Sequence, residues 1–270
     1  MGPQGPDKEG VMKKKWLIGN WKMHGNLASN KALIEGIRAE LPEPDPRAEL
    51  VVCPAFPYLY QLKDLTAGTG IYVGAQNASD HLQGAYTGET SPLMIKELGG
   101  SFTIIGHSER RQYQGENDGL MGRKSLAAID AGLIPVICVG ETAEERDSGR
   151  THEVLARQLD AAFGYIRTAH DKIILAYEPR WAIGTGIAAT PEIVQAEHEF
   201  LRQRIAIRDK EFAARLPIIY GGSVKAANAI SLFSMPDVDG GLIGSAALNA
   251  TEFVAIYREL LQTIPADEAA

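Results

Sequence analysis

The sequence predicts an α/β chain closed into a (β/α)8 barrel, and three observations carry that prediction. Eight short apolar runs recur along the 270 residues. Amphipathic segments with apolar residues at three- and four-residue steps separate them, the spacing of helices that bury one face. The runs do not alternate apolar with polar, so each reads as a strand buried on both faces, as in a parallel sheet covered by helices. Eight such units in about 255 residues match the size of the barrel. A doubly wound open sheet shares the alternation, and periodicity alone does not separate the two. No Pro- or Ser-rich linker divides the chain. A single domain is therefore expected over 14–270, after a Gly/Pro-rich, charged leader at 1–13 within which Met12 is an alternative start.

The elements follow in order. The first run, Trp16–Gly19, delivers Asn20, Trp21 and Lys22, and a helical pattern on Leu33, Ile34, Ile37 and Leu41 comes next. Leu50–Cys53 and Ile71–Ala75 are the second and third, the latter followed by a stretch from Gln76 to Glu89 that is long for a loop in a compact domain. The fourth, Phe102–Gly106, ends in His107, Ser108 and Glu109. The fifth, Ile134–Val139, contains Cys138 and precedes a helical pattern on Val154, Leu155, Leu159 and Phe163. The sixth, Lys172–Tyr177, ends in Glu178 and Pro179, then an apolar, glycine-hinged loop from Trp181 to Gly186. The seventh and eighth, Pro217–Tyr220 and Gly241–Ile243, end in Gly221-Gly222-Ser223 and Gly244-Ser245-Ala246.

Composition narrows the function classes. With 45% hydrophobic residues the chain can bury a large core. The net charge of −7 is spread along the sequence and Lys13-Lys14-Lys15 is its one basic run, which argues against nucleic acid or a membrane as partner. Cys53 and Cys138 each close a short apolar run, the pattern of reduced, buried thiols in a cytoplasmic protein. No apolar stretch reaches the roughly 18 residues of a membrane span.

In a barrel, chemistry belongs at the carboxyl ends of the strands. That rule gathers Asn20, Lys22, His107 and Glu178 on one rim, beside two Gly/Ser turns. Small residues between strand and helix let backbone N–H groups point into a concavity at a positive helix end, a site for phosphate. Barrels often place phosphate after strands seven and eight, where Ser223, Gly244 and Ser245 fall. Ser108 is expected to cap a short helix through Glu109, Arg110 and Arg111. The positive end of that helix favours the neutral ring of His107, which can donate to a carbonyl and take a proton back. Among the other histidines, His152, His170 and His198 lie in polar helical stretches and are expected at the surface. No metal-binding spacing appears, and no cofactor fingerprint. Apolar residues beside Glu178 read as a lid: Trp181 and Ile183 would be buried when it shuts, expelling water from the acid, with Gly184 and Gly186 as hinges.

Taken together these residues resemble the triosephosphate isomerase family. The resemblance runs from about Lys14 to the last helix and rests on Gly19-Asn20-Trp21-Lys22-Met23, Val73 to Asn77, Gly84 to Glu89 and Ile105 to Arg111. It continues with Ala176-Tyr177-Glu178-Pro179, Trp181 to Gly186, Tyr220 to Val224 and Val238-Asp239-Gly240. It implies interconversion of dihydroxyacetone phosphate and glyceraldehyde 3-phosphate, in glycolysis and gluconeogenesis, with no cofactor. It implies Glu178 as general base, His107 as electrophile and proton shuttle, Lys22 and Asn20 as donors to the oxyanion, and Glu109 as the acid beside Lys22. Phosphate would meet the N–H groups of Gly184, Ser223, Gly244 and Ser245. Ser108, Cys138 and Thr87 would support the site, Thr87 by reaching a neighbouring subunit from the Gln76–Glu89 loop of a homodimer, or of a tetramer. Three places depart from the family pattern: Arg180, the start of the second hinge Ile187-Ala188-Ala189, and Ser245. Two alternatives stay open, an isomerase of a tetrose phosphate and a phosphate-binding barrel with little catalysis.

Overall fold

Parallel strands close on themselves in sequence order, so that the last pairs with the first. The computed structural model describes residues 14–166, 172–182 and 189–265. The expected leader, 1–13, lies outside them. The strands are β1 (Lys15–Asn20), β2 (Ala48–Cys53), β3 (Ile71–Ala75), β4 (Phe102–Ile105), β5 (Ile134–Val139), β6 (Ile174–Tyr177), β7 (Ile218–Tyr220) and β8 (Gly240–Ile243). They form a closed barrel in that order, which decides for the barrel over the open sheet. The β1–β8 register, Trp16 opposite Gly240 through Gly19 opposite Ile243, seals it.

Every strand but β3 feeds two cores, which is why the runs carry no polar alternation. Ile18, Val51, Cys53, Ile104, Val136, Cys138, Ile174, Ala176, Ile219 and Leu242 fill the interior of the barrel. Their neighbours Leu17, Leu50, Val52, Val73, Ile137 and Leu175 point outward, where helices cover them. The helix Leu27–Glu40, for example, buries Ile34 and Ile37, and Asn26 caps it by accepting N–H bonds from Ala28 and Ser29. Among the described residues no helix is long and apolar enough to cross a membrane.

One helix corrects an expectation. Pro191–Ala206 buries His198 completely, alongside Val194, Leu201 and Ile205. The ring donates from Nδ1 to the Asp237 carbonyl, 3.0 Å away, and stands edge-on to Tyr177. Burial lowers its pKa from 6.5 to about 4. His198 is a neutral core residue and does not lie at the surface. His152 keeps a side chain 59% exposed, and His170 lies outside the described residues.

Candidate active site

The ends of β1, β4, β6, β7 and β8 open into one cleft. Asn20, Lys22, His107, Glu178, Ser223, Gly244 and Ser245 line a cavity of about 790 Å³, together with Gly221, Gly222, Lys225 and His24. Parallel strands in a barrel put all their carboxyl ends on one side, so residues up to 225 positions apart in sequence meet there.

Asn20, the last residue of β1, is buried and accepts the Lys22 N–H on Oδ1, at 3.0 Å. That bond occupies the oxygen end of the amide and leaves its N–H donors for a ligand. Lys22 has φ 52°, the left-handed region that an L side chain adopts at a cost on the order of 1–3 kcal/mol. Gln76 holds it there: its Nε2 donates to the Lys22 carbonyl at 2.7 Å and to that of Cys53 at 2.9 Å. The ammonium pairs with Glu109 Oε1 at 2.6 Å.

His107 corrects the expected cap. Its own ring, and not the Ser108 hydroxyl, caps the helix Ser108–Tyr113, because Nδ1 accepts the Glu109 N–H at 3.3 Å. A nitrogen that accepts must carry a lone pair, so the imidazole is neutral with its proton on Nε2. Nε2 lies 3.2 Å from Glu178 Oε1. The other oxygen of Glu178 accepts the Ser108 N–H at 3.0 Å. Ser108 contributes through its backbone.

Glu178 is 3% exposed, and its surroundings are shaped to it. Its N–H donates to Val139 O at 2.7 Å, and the Gly221 N–H to Tyr177 O at 2.8 Å. A Cβ on Gly221 would stand 2.6 Å from Glu178 Cγ, and one on Gly140 would stand 1.9 Å from the Glu178 carbonyl oxygen. Both positions exclude any side chain. Behind the acid, burial pushes the Cys138 thiol well above its ordinary pKa, and the charge of Glu178 pushes it the same way.

Beyond Glu178 a short 3-10 turn, Arg180–Ala182, carries Trp181. The indole N–H donates to Glu141 Oε1 at 2.8 Å, and the ring packs half-buried against the core. The first residue of the apolar loop is thus anchored by one buried carboxylate. Ile183, Gly184 and Gly186, the rest of the expected lid and one expected phosphate donor, lie outside the described residues. The stretch from His81 to Glu89 is exposed, Thr87 included, with Leu82 and Tyr86 among its apolar side chains.

Gln76 and Lys225 were not assigned roles from the sequence. Gln76 sits in the Val73–Asn77 stretch, but its partners are 54 and 23 positions away. Lys225 follows Ser223-Val224 at the mouth of the cleft, and a basic residue two positions past a candidate phosphate turn is a signal that could have found it.

Comparison with known proteins gives a consistent result. The family model described as triosephosphate isomerase matches residues 15–260. The triosephosphate isomerase of Cupriavidus necator is 50% identical over 246 residues, covering 91% of this chain and 99% of the relative. That of Thiobacillus denitrificans is 51% identical over 248 residues, covering 92% and 98%. That of Nitrosococcus oceani is 49% identical over 246 residues, covering 91% and 98%.

Proposed function

Because the chain belongs to the triosephosphate isomerase family, we propose that it interconverts dihydroxyacetone phosphate and D-glyceraldehyde 3-phosphate through an enediolate, with Glu178 as general base. The observation that carries this reading is the pairing of Glu178 Oε1 with His107 Nε2 at 3.2 Å, both buried in the cleft that Lys22 and Asn20 also line. A carbon next to a carbonyl is a weak acid, so a carboxylate alone removes its proton slowly. Donors aimed at the oxygen stabilise the enediolate, a contribution of roughly 3–4 kcal/mol for each well-placed one.

The roles divide by chemistry. Glu178 moves the proton between the two carbons. His107, neutral with a hydrogen on Nε2, donates to the carbonyl oxygen and shuttles protons between the two oxygens. The Lys22 ammonium and the Asn20 amide add to the positive field around the oxyanion. On substrate binding, the Glu178 carboxylate exchanges its bonds to Ser108 N and His107 for contact with the substrate carbon. The phosphate is held by the N–H groups of Ser223, Gly244 and Ser245, with Lys225 adding charge at the mouth of the cleft. Gripping that remote group supplies binding energy for the chemical step.

The chain acts as a homodimer whose Gln76–Glu89 loop, exposed from His81 to Glu89, docks into a second copy and brings Thr87 to its site, and it works in cytoplasmic glycolysis and gluconeogenesis. Two measurements test the proposal. A coupled assay on glyceraldehyde 3-phosphate, run beside Glu178→Gln, is expected to give turnover that falls at least about a hundredfold in the variant. Equal turnover in the two, or better turnover on a four-carbon phosphate, would overturn it. Sedimentation is expected to give twice the chain mass.

A further inference from the structure

Three residues of the segment that carries Glu178 are tied to one buried acid. Glu141 is fully buried; its backbone carbonyl accepts the Arg180 N–H at 3.0 Å, and its Oε1 accepts both Tyr177 Oη–H at 3.1 Å and Trp181 Nε1–H at 2.8 Å. These bonds bracket Glu178 on both sides. Yet Glu141 Oε2 has no hydrogen-bond partner among the described residues. A buried carboxylate with two neutral donors and one empty oxygen needs a cation to balance it.

Arg146 is that cation. It lies on the helix Ala143–Asp147, with Nη1 3.7 Å from Glu141 Oε1 and its guanidinium carbon 4.3 Å from the centre of the Trp181 ring. A guanidinium over an indole face, drawn down by a carboxylate at the ring's edge, holds both the charge and the ring plane. A second acid faces the same cation: Glu197 on the helix Pro191–Ala206, which pairs with His152 Nε2 at 3.1 Å. Burial raises the Glu197 pKa and Glu141 raises it further, while His152 and Arg146 lower it. His152 in turn is stacked on Phe200 at 4.0 Å, which fixes where its charge sits. Glu141, Arg146 and the Trp181 ring therefore converge at the root of the turn, within the electrostatic reach of Glu197.

We propose that Arg146 is a positioning residue for the isomerisation: paired with Glu141 and lying over Trp181, it seats the turn that fixes the main chain of Glu178. The inference rests on the reading of Glu178 as the base. Arg146 touches no substrate; it acts through Glu141 and Trp181. The pocket side chains are untouched by its loss, so substrate binding is preserved and the rate of the chemical step is not.

The test compares wild type with Arg146→Met, which keeps the aliphatic stem, and Arg146→Lys, which keeps the charge. In Arg146→Met, kcat is expected to fall about tenfold, a fraction of the hundredfold that a full ångström of misplacement costs, while KM changes less than about twofold. The melting temperature is expected to fall by about 10 °C with unfolding still cooperative, since loss of the cation leaves the fully buried Glu141 charge uncompensated. Arg146→Lys is expected to recover at least half of the loss on a logarithmic scale. Adding Arg146→Met to Trp181→Phe is expected to lower kcat no further than the worse single variant. An unchanged kcat in Arg146→Met overturns the proposal. So does a loss that Lys does not recover, one that adds fully to that of Trp181→Phe, or one that appears only with a loss of cooperative unfolding. Glu178→Gln in the same assay separates the two readings. Retained activity there defeats the base assignment, whereas an inactive Glu178→Gln beside a fully active Arg146→Met defeats only the role of Arg146.

Discussion

Gly221→Ala places one methyl group directly against the candidate base. The new Cβ would stand 2.6 Å from Glu178 Cγ, 3.3 Å from Oε1 and 3.4 Å from Tyr177 O. Carbon atoms in contact rest about 3.8 Å apart, so roughly 1 Å of movement is needed to relieve the first clash. The methyl cannot retreat easily, because the Gly221 N–H is bonded to Tyr177 O at 2.8 Å. Glu178 must yield instead, and its carboxylate is held at both oxygens by Ser108 N and His107 Nε2. A displacement of about 1 Å costs on the order of a hundredfold in rate, which is about 3 kcal/mol of barrier. Overpacking of this kind costs a further 1–3 kcal/mol of stability, roughly. The assay is steady-state turnover in both directions, with thermal unfolding alongside. The expected result is a kcat lowered by about two orders of magnitude in a protein that still unfolds cooperatively. A kcat within threefold of wild type, in a folded variant, would refute the reasoning that Gly221 is glycine to make room for Glu178.

Two further predictions concern groups away from the acid. His198 has its pKa lowered by burial, so the folded protein refuses a proton that the unfolded chain accepts. Its contribution is complete above about 6.5 and is lost as pH falls from there to about 4, by about 3 kcal/mol in total; urea unfolding at pH 7 and pH 5 checks this, and His198→Gln should flatten the dependence. Gln76→Ala frees the carbonyls of Lys22 and Cys53 and is expected to cost about 1–3 kcal/mol of stability. It should also lower kcat as the strained Lys22 relaxes, and wild-type unfolding with unchanged turnover would contradict the pinning role.

The strands were legible because a parallel barrel buries both faces of each one, which turns them into unbroken apolar runs. Ile71–Ala75 and Ile134–Val139 were bounded to the residue. The sixth and seventh began later than expected, at Ile174 and Ile218, because the run starts ahead of the first ladder pair. The site was legible for the same reason, since the barrel converts strand ends into one rim. Capping was not: Ser108 is the better cap by residue type, but the ring of His107 reaches the N–H first. His198 was misjudged by weighing its polar neighbours over its phase, although Val194, His198, Leu201 and Ile205 follow a 4-3-4 spacing that marks a buried stripe. The partners of Gln76 and Arg146 were invisible, because nothing local in a sequence tells which distant backbone a side chain will meet.

The central claim is that the Glu178 carboxylate takes a proton from carbon. Incubating dihydroxyacetone phosphate in deuterated water and following label at the carbon bearing the free hydroxyl by NMR tests it without any coupling enzyme. The wild-type protein should introduce deuterium there at a rate comparable to turnover, and Glu178→Gln should leave the carbon at the uncatalysed background. Label entering at the wild-type rate in Glu178→Gln would place the base elsewhere and contradict the account.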